Sequence, residues 1–154
     1  MQIRRYQAHD LNEVLALFQQ TVRQVNIRDY STAQIKAWLG TDSVTIHQHW
    51  QQRLLTTTTM VILDGQKLIA FGNILATGYL DCLYVHTEYQ RQGLAKWLVT
   101  TLEASVSVTQ YTVAASITAV PFFVAQGYHV IRRQEVVRAD QVLTNFFMIK
   151  TSCE

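Results

Sequence analysis

The segment Leu83-Tyr84-Val85-His86-Thr87-Glu88-Tyr89-Gln90-Arg91-Gln92-Gly93-Leu94-Ala95 constrains the fold of this chain more than any other. An apolar strand end passes through a polar turn and a glycine loop directly into a helical pattern that runs to about Ser107. The first N–H groups of a helix have no partner within it, and the helix dipole adds partial positive charge at that end. A glycine loop leading into such an end exposes those donors, and a phosphate group fits there. The segment is therefore the candidate site for a cofactor that carries phosphate.

Upstream of it the pattern is mostly helical. Gln2 to Tyr6 reads as a short strand. Asp10 and Glu13 have the spacing of a capping box, and Leu11, Val14, Leu15, Leu17, Phe18 and Val22 follow with helical period to about Asn26. Ile27-Arg28-Asp29-Tyr30 is a break. Ser31 with Gln34 repeats the cap spacing before a helix through Trp38 that Gly40 stops, and Val44 to Leu54 reads as another helix. These helices are expected to form a lid or flank. From Thr57 the period changes. Thr58 to Leu63 and Lys67 to Ile74 surround the hairpin signal Asp64-Gly65, and Gly78 to Val85 is a third strand. Next come the helix after Gly93, a strand over Tyr111 to Ala115 and a helix over about Ala119 to Gln126. The last two strands are His129 to Val137 and Leu143 to Lys150. Hairpins joined to a strand–helix–strand crossover indicate an α/β fold, with a mixed, mostly antiparallel twisted sheet flanked by helices. The length suits one domain over residues 1–154.

Composition narrows the functional classes. With 49% apolar residues the chain can bury a core without metals or disulfides. The net charge is +2 and the basic residues cluster only as the pairs Arg4-Arg5 and Arg132-Arg133, so nucleic acid is not an expected partner. Neither an apolar leader nor a run of membrane-spanning length is present, so no membrane partner is expected. Cys82 and Cys153 lack metal-ligand spacing, and Cys82 falls within an apolar strand. No metal is expected, and a cytoplasmic protein with reduced thiols is. No Gly-x-x-x-x-Gly-Lys or Gly-x-Gly-x-x-Gly pattern supports a nucleotide as the phosphate ligand.

Two blocks in register carry a family resemblance. Gln90-Arg91-Gln92-Gly93-Leu94-Ala95, following Leu83-Tyr84-Val85, resembles the Gln/Arg-x-x-Gly-x-Gly/Ala loop of the GCN5-related N-acetyltransferases. Pro121-Phe122-Phe123-Val124-Ala125-Gln126-Gly127-Tyr128 resembles that family's later helix and turn, commonly Phe/Leu-Tyr-x-x-x-Gly-Phe. The element order is similar over essentially the whole chain. Asp29-Tyr30-Ser31 and Leu143-Thr144-Asn145-Phe146 resemble a poorly characterised bacterial branch. The resemblance implies direct transfer of acetyl from acetyl-CoA to a primary amine of a small molecule, amino acid or peptide. It implies that the amides of Gln90 to Ala95 cradle the pyrophosphate, with Gly93 and Ala95 small to let it approach. Arg91 and Lys96 either add charge to the coenzyme phosphates or are solvated surface cations. The backbone of Leu83, Tyr84 and Val85 is to pair with the pantetheine arm like an added strand edge, with Phe122 and Phe123 adjoining the cofactor. The sheet is to splay after this strand. Homodimers are common in families of this size, so self-association stays open.

Acetyl transfer needs an amine that loses a proton, a polarised thioester carbonyl and a protonated thiolate. By strict alternation Tyr79, Asp81, Leu83 and Val85 share one strand face. Asp81 resembles in position a histidine base of arylalkylamine members, and Tyr79 a second such histidine; Asp81 is thus the candidate base, or else a paired structural carboxylate. Direct attack leaves Cys82 no covalent role. The family's tyrosine acid corresponds to Phe123, which has no proton to give, so either another group serves, with Tyr84, Tyr111 and Tyr128 candidates by residue type only, or the thiolate leaves without help from the enzyme. For the acceptor, Arg28 is the candidate carboxylate binder and Asp29 the candidate ammonium binder, with Tyr30 and Asn145 nearby in the resemblance. A turn salt bridge is the alternative role of Arg28 and Asp29. The missing acid also leaves room for a non-catalytic acyl-CoA-binding or sensor protein.

Overall fold

A computed structural model describes residues 1–152. In order it contains β1 (Gln2–Arg5), α1 (Leu11–Gln24), α2 (Thr32–Leu39), α3 (Val44–Thr56), β2 (Thr58–Asp64), β3 (Lys67–Ile74), β4 (Tyr79–Val85), α4 (Leu94–Ala104), β5 (Gln110–Ser116), α5 (Val120–Ala125), β6 (His129–Arg138) and β7 (Gln141–Thr151). The strands form one sheet in the order β1-β2-β3-β4-β5-β7-β6. Only β4 and β5 are parallel neighbours; the α4 crossover joins them. The mixed α/β fold expected from the hairpins and the crossover is the observed one. Cys153 lies outside the described residues.

Local chemistry accounts for most boundaries. The Ser31 hydroxyl accepts the Gln34 N–H at 3.1 Å while Gln34 Oε1 accepts the Ser31 N–H at 2.8 Å, which opens α2 as a capping box. Gly40, at φ +69°, closes it. The turn Gly65-Gln66 joins β2 to β3, with Gly65 at φ +62°. Two expectations need correction. Asp10 does not cap α1 with Glu13: its carboxylate accepts the Gln7 N–H at 2.8 Å across a short 3-10 turn and both guanidinium ends of Arg4. Helix α4 stops at Ala104 rather than Ser107, because the Ser105 N–H and hydroxyl both turn back onto Leu102 O.

The helices cover both faces of the sheet. On one side Val14, Leu17, Phe18 and Val22 of α1 pack with Val61, Phe71 and Cys82 of the sheet. This helix is part of the core and not a lid. On the other side Leu94 and Leu98 of α4 pack on Ile62, Ile69 and Val85, and Val99, Leu102 and Phe123 pack on Leu80 and Val113. Each such side chain contributes roughly 1.5–3 kcal/mol when fully buried.

The sheet parts in its middle. Strand β4 pairs with β5 only at Tyr79↔Thr112 and Leu80↔Val113, whereas β5 pairs with β7 along its whole length from Gln110 to Ser116. Beyond Leu80 the two halves of the sheet diverge. Gly78 sets the start of the gap: it has φ +90°, it accepts the Thr112 N–H at 3.0 Å, and a Cβ there would stand 2.7 Å from Gln110 O.

Candidate functional site

The gap is widened by a bulge in β4. Asn73 of β3 pairs with Cys82 and Ile74 pairs with Leu80, so Asp81 is an extra residue in the register. Strict alternation therefore fails, and the single-face expectation for Tyr79, Asp81, Leu83 and Val85 is corrected. Leu83 and Val85 pack on the α4 side. Tyr79 and Asp81 open instead onto a cleft on the α1–α3 side, beside Cys82 and Tyr84.

Two clefts meet at this point. The first, of about 530 Å³, runs between the diverging ends of β4 and β5 toward the start of α4. Its walls include Leu83, Tyr84, Val85, Gln90, Arg91, Gly93, Leu94, Ala95, Lys96, Phe122 and Phe123, with Ala114, Ala115 and Ser116 of β5 opposite. The second, of about 480 Å³, lies between α2, α3 and the β6–β7 hairpin. Trp38, Asp81, Cys82, Tyr84, Ala114 and Ser116 line both.

The first cleft ends on free backbone donors. The first hydrogen bond into α4 runs from the Trp97 N–H to Gly93 O at 3.0 Å, so the N–H groups of Leu94, Ala95 and Lys96 have no backbone acceptor among the described residues. Arg91 at φ +61° and Gly93 at φ +81° turn the loop so that it leads into this end. A Cβ on Gly93 would meet nothing within 4 Å, so within the protein its left-handed backbone is what favours glycine. Gln90 fixes the loop to the strand by donating from Nε2 to Val85 O at 2.6 Å. The His86 N–H turns to Ile69 O on β3, so alternation turns the backbone of Val85 and Leu83 toward the open side. Arg91 and Lys96 supply positive charge here, and Gln92 is exposed off the cleft wall.

At the junction Asp81 is held on three sides. Arg53 of α3 donates to it through both Nε and Nη2, the latter to Oδ1 at 2.5 Å, and Asn73 Nδ2 donates at 3.2 Å. Arg53 lies over the Trp50 ring at 4.7 Å. Burial, the largest single effect, opposes its charge, but the hydrogen bonds to Asp81 and the charges of the neighbouring acidic groups together outweigh it and push the guanidinium pKa up. Burial drives the Cys82 thiol up to about 12, so no thiolate is available for covalent chemistry at neutral pH. Burial likewise raises the phenols of Tyr79 and Tyr84.

The remaining candidates separate cleanly. Phe123 is buried between Phe122 and Tyr128 on the first cleft. Tyr128 donates to Glu103 Oε2 at 2.6 Å and Tyr111 to Glu103 O at 3.0 Å, and neither lines a cleft, whereas Tyr84 lines both. Arg28 and Asp29 are exposed and line neither cleft, so the structure does not bring them to the site. Tyr30 lines the second cleft with its ring, but its hydroxyl donates to Thr144 O at 2.5 Å and accepts the Ile117 N–H. Asn145 is also on that cleft, with its Oδ1 taken by Gln134. Sequence reasoning missed Arg53, Arg138 and the small residues of β5. The spacing of Trp50 and Arg53 on one helix face and the run Ala114-Ala115-Ser116 were the available signals.

Known proteins share this fold. The family model described as "Acetyltransferase (GNAT) domain" matches residues 26–149. An uncharacterised N-acetyltransferase, YafP, of Escherichia coli K12 is 34% identical over 148 residues, 96% of this chain and 94% of that protein. A GCN5-related N-acetyltransferase structure from Rhodopseudomonas palustris superposes with a TM-score of 0.90 at 25% identity, covering 98% of this chain and 95% of that one. The PaiA N-acetyltransferase of Thermoplasma acidophilum, solved with coenzyme A, has the same fold at a TM-score of 0.76, 16% identity and 98% coverage of both chains. The parted sheet, the glycine loop at the head of α4 and these matches agree: the chain belongs to the GNAT family of acetyltransferases.

Proposed function

We propose that the protein transfers acetyl from acetyl-CoA directly to a primary amine. The observation that carries this reading is the meeting of two clefts at Asp81 and Tyr84, one of which ends on the unpaired N–H groups of α4. The coenzyme takes the first cleft. Its pyrophosphate lies on the amides after Gly93 with Arg91 and Lys96 beside it, and its pantetheine arm runs along the open backbone of Leu83 and Val85. Gln90 already occupies Val85 O, which leaves the Val85 N–H and both Leu83 groups for the arm. The amine enters through the second cleft.

In the chemical step the neutral amine nitrogen attacks the thioester carbonyl carbon, the C–S bond breaks, and the thiolate takes a proton. Asp81, at the junction, draws the amine proton, directly or through one water. Its pair with Arg53 and the Asn73 contact hold the carboxylate aimed at the junction. Tyr84, which lines both clefts where Tyr111 and Tyr128 line neither, protonates the sulfur in this reading; burial raises its pKa, so the phenol is in its protonated form throughout the physiological range. Cys82 takes no covalent part. The buried free thiol suits the cytoplasm, and among the described residues no helix is long and apolar enough to cross a membrane.

The test is an acceptor screen that follows release of free coenzyme A thiol. Amine-dependent release supports the reading. Acetyl-CoA binding with no release across a broad amine panel favours the alternative, a sensor that retains the fold; Phe123 at the family's tyrosine position is its motivation.

A further inference from the structure

Three charged side chains line the second cleft: Arg53, Asp81 and Arg138. Arg53 and Asp81 neutralise one another in their two-pronged pair. Arg138, the last residue of β6, makes no ion pair among the described residues. The turn that follows fixes its backbone, while the side chain is exposed: Arg138 pairs with Gln141 across Ala139 and Asp140, both left-handed at φ +44° and +65°. Its charge is felt by Tyr79 across the cleft, where it opposes the burial that raises that phenol. Asn145 lies on the same hairpin side; its Oδ1 accepts from Gln134, and its Nδ2 donors are available toward the cleft. The aromatic rings of Trp38, Trp50 and Tyr84 are among the other walls.

We propose that the amine acceptor is a free aromatic amino acid. Its amine meets Asp81, its carboxylate meets Arg138 and the Asn145 N–H donors, and its ring lies against the tryptophans. This rests on the acetyltransfer reading above. A plain arylalkylamine leaves Arg138 without a counter-charge, and a peptide N-terminus carries no carboxylate beside its amine. The products are the N-acetyl amino acid and coenzyme A thiol, with the amine proton lost to Asp81 and the sulfur protonated by Tyr84. A charge-assisted contact is the strong kind, and its loss is read as selectivity.

The experiment measures kcat/KM with acetyl-CoA for phenylalanine and tryptophan, for phenylalaninamide, and for phenethylamine and tryptamine. It uses the full chain and its Arg138→Gln and Arg138→Lys variants, with an acetyl-CoA thermal shift on each preparation to show an intact cofactor site. Phenylalanine is expected to exceed both phenylalaninamide and phenethylamine by about tenfold or more. Arg138→Gln brings that ratio close to one through KM, and Arg138→Lys restores part of it. Equal use of the charged and uncharged series, or a ratio that survives Arg138→Gln, overturns the proposal. Turnover of other amines with none of phenylalanine or tryptophan also overturns it, while leaving acetyl transfer standing. Absence of any acetyl-CoA shift in the parent protein removes both.

Discussion

Asp81 shows how much one residue's setting matters. As a lone carboxylate in an apolar strand it invites a catalytic role; the bulge that makes it extra in the register is what turns it to the junction of the clefts. Asp81→Asn should lower kcat by about 100-fold or more, the scale of general-base catalysis, while acetyl-CoA affinity is retained. Steady-state kinetics with a cofactor titration checks this, and unchanged turnover removes Asp81 from the mechanism. Stability should fall little, because Arg53 is 42% exposed and water can replace its partner. Gly93 gives a contrasting case. A Cβ there meets nothing within 4 Å, so Gly93→Trp should fold, with a penalty of about 1–2 kcal/mol for its left-handed backbone. It should no longer bind acetyl-CoA, because the indole covers the N–H groups of the loop; calorimetric titration distinguishes this from a merely destabilised protein.

At the scale of elements, the parting of β4 and β5 makes the site, and Gly78 holds its closed end. Gly78→Ala would place a methyl 2.7 Å from Gln110 O at a φ of +90°. A loss of about 2 kcal/mol or more is expected in denaturant unfolding, with weaker acetyl-CoA binding. A wild-type midpoint in that variant would show that the junction is looser than described. These elements were legible to different degrees. Strands and helices announced themselves through period and caps, because Ser31, Gly40 and Gly65 act within a few residues. The bulge did not, because it depends on how β3 and β4 align, and a single strand carries no mark of its neighbour's register. The helical start of the chain reads as either a lid or a flank for a similar reason, and the structure makes it a flank. Its apolar stripe shows that a face is buried, and not that Phe71 and Cys82 lie beneath it.

For the molecule as a whole, the glycine loop at the head of α4 is legible in the sequence because strand, glycine and helix are contiguous, whereas the second cleft is not. Arg53, Asp81 and Arg138 come from α3, β4 and β6, and only the folded sheet assembles them; Arg28 and Asp29, suggestive in sequence, ended outside. Burial also sets a global pH limit. Cys82 rises from 9.0 to about 12 and Tyr6 from 10.0 to about 12 on folding, chiefly through desolvation. The folded protein keeps these protons where the unfolded chain releases them, so their contribution is full below about pH 9 and is lost as pH rises toward 12. Melting curves between pH 8 and 11 should show Tm falling from about pH 9 upward; a Tm that rises over this range contradicts the burial described. The central claim, that the loop at the head of α4 takes acetyl-CoA, is tested most directly by thermal unfolding with that ligand. At about a hundred times its dissociation constant, acetyl-CoA should add about 2.7 kcal/mol to the parent protein and nothing to Gly93→Trp. No shift in the parent at millimolar acetyl-CoA, or an equal shift in both, would contradict it.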